Sequence, residues 1–64
     1  MKVEVVSRFE VGDNVSILWW RYTTGTIIRV TWSDDEHIFK YLVEVPDGVR
    51  NWLNEKQLVS KNVG

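Results

Sequence analysis

An all-β domain built from five short strands is what this chain predicts, and three observations carry the prediction. Apolar residues recur with period two: Val15, Ile17 and Trp19 alternate with Asn14, Ser16 and Leu18, and Tyr41, Val43 and Val45 alternate with Lys40, Leu42 and Glu44. Turn-forming residues punctuate those runs at short intervals. No stretch between them is long enough for more than one helical turn.

The elements follow in order. A weak leading strand over 2–7 comes first, then Gly12-Asp13 turns the chain into a strand over 14–20. A second strand covers 24–32 and ends at the polar loop Ser33-Asp34-Asp35-Glu36. A third runs over 39–45 and meets Pro46-Asp47-Gly48, where Pro presets φ and Gly supplies a positive one, so the fourth strand over 49–53 folds back antiparallel. Asn54 lies three residues before Gln57, a capping-box spacing that starts one turn of 3-10 helix through Glu55-Lys56-Gln57. Leu58 then opens a last strand over 58–61. On this reading residues 1–8 are an extension or leading strand, and residues 9–64 are one domain.

Closing such strands into a small barrel removes the edges that a flat sheet of this size leaves. Phe9-x-x-Gly12-Asp13-x-Val15, Gly25-x-Ile27-x-x-Val30, Tyr41-x-Val43-x-Val45 and Trp52-x-x-Glu55-x-x-Leu58 together resemble an SH3-like barrel over about residues 9–60. Similar motifs occur in Tudor-like and KOW-like modules and in the photosystem I accessory subunit PsaE. The resemblance implies a five-stranded SH3-like barrel with a short 3-10 turn before the last strand; it does not carry a function. The inward positions would be Val15, Ile17, Val30, Tyr41, Val43, Val45 and Leu58, with Trp19 and Trp52 plugging the two ends.

A chain of 64 residues is near the lower limit for a single apolar core. It has no cysteine, so neither disulfides nor thiolate metal ligation enter, and a reducing, cytoplasmic setting is expected. No apolar run is long enough to cross a bilayer as a helix, and the charged, alternating opening does not read as a secretory signal. Net charge is −1, divided as +1 over residues 1–33 and −2 over 34–64. That balance lacks the surplus of a domain held to nucleic acid by phosphate contacts.

Four tryptophans in so small a chain exceed what its core can hide. If the first strand is regular, Trp20 has the opposite parity to Trp19 and continues the outward face of Ser16 and Leu18. Trp20, Tyr22 and Trp32 at the ends of the second strand, with Phe39 opening the third, are the expected contact aromatics. Arg21 and the acidic run Asp34, Asp35 and Glu36 are the expected rim. Exposed aromatics beside arginine fit a protein partner, and self-association is the other use such a patch allows. In Tudor-like modules, which the chain resembles, aromatics at loop mouths form a cage for a methylated ammonium beside a carboxylate.

The alternative is a nucleic-acid-binding barrel in which Arg21, Arg29, Lys40 and Arg50 meet phosphates and Trp20 or Trp32 stacks on bases. Catalysis has little support. His37 is the single histidine and no Ser or Cys is placed as its nucleophile, so no catalytic, cofactor or metal ligand is assigned. Type II dihydrofolate reductase, a barrel of similar size, carries Val-Gln-Ile-Tyr on a late strand of its pore; Val49-Arg50-Asn51-Trp52 shares only Val49, which leaves a pore-type reductase as the third reading. The expected function is a non-catalytic binding or assembly module for a protein partner, without membrane attachment.

Overall fold

The computed structural model describes residues 7–61, so the leading strand expected over 2–7 falls outside the described residues except for Ser7, which is not in a strand. Five strands form a single antiparallel sheet: β1 (Asn14–Ile17), β2 (Thr23–Ser33), β3 (Ile38–Glu44), β4 (Arg50–Asn54) and β5 (Leu58–Ser60). One 3-10 turn, Glu55–Gln57, separates β4 from β5. Its capping box is present: the Asn54 side chain accepts from the Lys56 N–H at 2.9 Å, and the Gln57 side chain accepts from the Asn54 N–H at 3.0 Å. No helix among the described residues is long and apolar enough to cross a membrane.

The strand order is β4-β3-β2-β1-β5. β4 and β5 are therefore edges, and the sheet is open where a closed or nearly closed barrel was expected. The reason lies in the short final strand, whose three residues pair with β1 (Ile17 with Leu58, Val15 with Ser60) after the 3-10 turn has carried the chain away from β4.

Register places the core. Val15 faces Gly25 across β1–β2, Ile27 faces Val43, Val30 faces Tyr41, and Tyr41 faces Leu53. Between Ile27 and Arg29 the register slips by one, which makes Ile28 the extra residue of a β-bulge. Ahead of the bulge the odd residues Gly25 and Ile27 are buried; beyond it the even residue Val30 packs against the core opposite Tyr41, while Trp32, of the same parity, is exposed. Phe9, Val15, Ile17, Ile27, Tyr41, Val43, Val45, Leu53 and Leu58 form one cluster, with Trp20, Val30 and Phe39 packed against it. Gly25 is required by close approach, because a Cβ there would stand 2.4 Å from Val43 Cγ1 and 3.0 Å from the Glu44 carbonyl.

Tyr41 is wholly buried and its hydroxyl accepts from the Arg8 N–H at 2.9 Å, while its ring meets Phe9 edge-on at 5.4 Å. That pair pins the segment entering the domain.

Two expected plugs are not plugs. Trp19 is 57% exposed and Trp52 49% exposed. β1 stops at Ile17, so its alternation never reaches Trp19; the chain turns instead and lays Trp20 against the core. Trp52 pairs with Leu42 on the outer face of the sheet, and its neighbour Leu53, opposite Tyr41, holds the buried place.

Candidate functional site

The connection from β1 to β2 is a double turn. The Trp20 N–H donates to the Ile17 carbonyl at 3.2 Å, and the Thr23 N–H donates to the Trp20 carbonyl at 2.8 Å. Within the second turn Arg21 has φ 50° and Tyr22 φ 56°. Two successive positive φ angles under a closing hydrogen bond put both central residues of this turn, within the five-residue loop between the paired Ile17 and Thr23, in the left-handed region that Gly and Asn usually occupy. Here it holds arginine and tyrosine, side chains for which the left-handed region costs on the order of 1 kcal/mol each.

This turn projects side chains into solvent. Trp19 is exposed and stacks on Trp20, ring centroids 6.2 Å apart and planes 9° from parallel; Tyr22 is 64% exposed. Leu18 borders them, its N–H held by the Gln57 carbonyl at 2.9 Å. Of the pair left open by strand parity, Trp19 is thus the exposed ring and Trp20 its half-buried support, the reverse of the expected orientation.

A second aromatic group occupies the opposite end of β2. Trp32 and Phe39 are cross-strand partners in edge contact at 5.0 Å, and His37 lies 6.4 Å from Trp32. Asp34 accepts from the Trp32 indole N–H at 2.8 Å, and Glu36 pairs with Lys40 at 3.0 Å. β2 has eleven residues, so a straight strand would hold the two groups on the order of 30 Å apart. The structure therefore divides the named residues into Trp20, Arg21 and Tyr22 at one tip, and Trp32, Asp34, Asp35, Glu36 and Phe39 at the other. Trp32 and Phe39 stand at one tip and Trp20 and Tyr22 at the other, so the four aromatics do not converge as the walls of one cage.

The four cations weighed for phosphate contact do not gather. Lys40 is tied to Glu36, and Arg50 Nε meets Glu44 Oε2 at 2.7 Å. Arg29 stands in a row with Leu42 and Trp52 on the outer sheet face, while Arg21 is at the turn. Among the described residues, no ion pair or hydrogen bond engages the side chain of Arg21 or Arg29. No group of three or more His, Asp or Glu among them is arranged to hold a metal ion.

Two shallow concavities, of ≈ 380 Å³ beside Asn14, Thr26 and Glu44 and ≈ 270 Å³ beside Ile38, Asn54 and Lys56, include only Glu36 of the residues named from sequence. The exposed rings Trp19, Tyr22 and Trp32 line neither of these concavities. Sequence reasoning missed Trp19 and the left-handed pair at 21–22, since no Gly or Asn marks that turn. Comparison of the chain with family models, with curated proteins and with solved structures returned no match.

Proposed function

We propose that this chain is a non-catalytic binding module, a bent five-stranded sheet of the SH3-like kind working in the cytoplasm, whose β1–β2 turn engages a protein partner through Trp19, Arg21 and Tyr22. One observation carries the reading: Arg21 and Tyr22 occupy backbone positions that favour Asn and Gly, and both point away from the core. Both side chains are exposed, so the core does not call for these residue types there. A local rule broken at an exposed site, without a packing reason, is the signature of a position kept for contact. Trp19 and Tyr22 supply large rings of few rotamers, and rings with arginine are the residues on which interface energy concentrates.

The test is a Trp19→Ser, Tyr22→Ser double variant, checked for folding by circular dichroism and then used beside the wild type to capture partners from a lysate of the source cell. The reading expects a folded variant that loses at least one protein retained by the wild type. A folded variant with an unchanged set of partners sinks it. Oligonucleotides titrated in parallel at about 150 mM salt should bind no tighter than roughly 10⁻⁴–10⁻⁶ M, the range of non-specific contact.

A further inference from the structure

The geometry points to an acidic partner segment: a carboxylate, flanked by an apolar residue, received by the guanidinium of Arg21, which shares the exposed β1–β2 turn with Trp19 and Tyr22. This rests on the binding role of the β1–β2 turn and names its ligand. From Asn14 to Ile28 Arg21 is the only charged residue, in a chain with more acidic than basic groups. Of the other described cations, Lys40 and Arg50 are engaged by carboxylates, Arg8 by the Phe9 ring at 5.1 Å, and Arg29 stands on the outer sheet face, off the turn. Arg21 has no such partner among the described residues, and the turn that carries it holds its backbone in one conformation through the Thr23-to-Trp20 hydrogen bond.

An arginine fork on a turn that also exposes apolar rings suits one carboxylate, bound through two parallel hydrogen bonds and strengthened as the partner's approach excludes water. A single cation does not suit a nucleic-acid backbone or an anionic bilayer, each of which is held by several basic residues together. A second copy of the chain has an acidic tip to offer, but two of its three carboxylates are occupied at home, Asp34 by the Trp32 indole and Glu36 by Lys40. A separate protein with an uncommitted Asp or Glu is the better match in charge.

The probe is a random peptide library displayed on phage and selected against the full chain, with selected peptides then synthesised and titrated. The expected result is enrichment of Asp or Glu beside Pro, Leu or an aromatic residue. Replacing that carboxylate by its amide, or making Arg21→Gln, should weaken binding roughly tenfold, as loss of a charge-assisted hydrogen-bonded pair does. Arg21→Glu should select basic peptides instead. Tyr22→Gly serves as the folding control, since it relieves the left-handed position, so its loss of binding cannot be laid to unfolding.

Peptides lost in Trp19→Ser, Tyr22→Ser but without acidic bias, or bound equally by Arg21→Gln, overturn this inference and leave the turn as the binding site. Peptides that ignore the double variant, or a library that yields none, overturn both. Self-association by sedimentation that is abolished by either Arg21→Glu or Asp35→Lys also overturns it, by making the second copy the occupant.

Discussion

The β3–β4 connection turns at Pro46, Asp47 and Gly48, whereas the β1–β2 connection turns at Arg21 and Tyr22. In the first, the Gly48 N–H donates to the Val45 carbonyl at 2.9 Å, Gly48 takes φ 93°, and Pro46 arrives with φ already fixed. Every residue there suits the backbone it occupies. In the second, the same left-handed conformation is asked of two residues that resist it. One protein thus holds both a turn made from suitable residues and a turn made from unsuitable ones. The difference lies in what the side chains face, since Trp19, Arg21 and Tyr22 reach outward as a group. At the β3–β4 turn the local rule is obeyed, and at the β1–β2 turn it is broken by residues whose side chains are exposed.

That contrast can be broken at several points. The largest effect belongs to the core beneath the turns: Leu53→Ala should lower stability by about 2–5 kcal/mol, seen as a fall in the midpoint of urea unfolding. Trp52→Ala, one residue away and on the outer face, should lose less than about 1 kcal/mol in the same assay. Equal losses would refute the assigned facing of β4. Gly25→Ala, at the foot of the β1–β2 hairpin, should lose roughly 1–3 kcal/mol because its Cβ would overlap Val43. A neutral outcome there would mean that β2 and β3 are not so closely apposed.

The turns themselves come next. Arg21→Asn with Tyr22→Gly should raise stability by on the order of 1–2 kcal/mol while removing partner binding, a melting-temperature gain coupled to a functional loss. Gly48→Ala should run the other way, losing about 1 kcal/mol with binding at the β1–β2 turn untouched. If the Asn-Gly variant were less stable than the wild type, Arg21 and Tyr22 would be structural after all. The contrast between the two turns would then disappear.

Strand positions were legible because a half-buried strand writes its burial into alternation, as Tyr41, Val43 and Val45 do beside Lys40, Leu42 and Glu44. Facing was lost wherever two apolar residues are adjacent. Trp19-Trp20, Ile27-Ile28 and Trp52-Leu53 each satisfy either parity, and the structure chooses by where a strand stops, where a bulge falls and which neighbour meets Tyr41. Phe9 entered the reading only through its motif, since it lies in irregular backbone that has no period. The candidate site was half legible. Arg21 and Tyr22 stood out as composition, but their left-handed backbone leaves no mark when the usual Gly and Asn are missing.

The bulge at Ile28 acts on β2 as a phase shift acts on a wave. Ahead of it the inward side chains are odd-numbered; after it they are even-numbered. Deleting that one residue would restore a single phase along the strand with Val30 still opposite Tyr41, whereas drawing Ile28 into the ladder would put Arg29 opposite Tyr41 and turn Val30 to the outer face. The two tips of β2 are consequently keyed to one another by this one unpaired residue, which absorbs the odd length and leaves both halves of the strand in phase with β3.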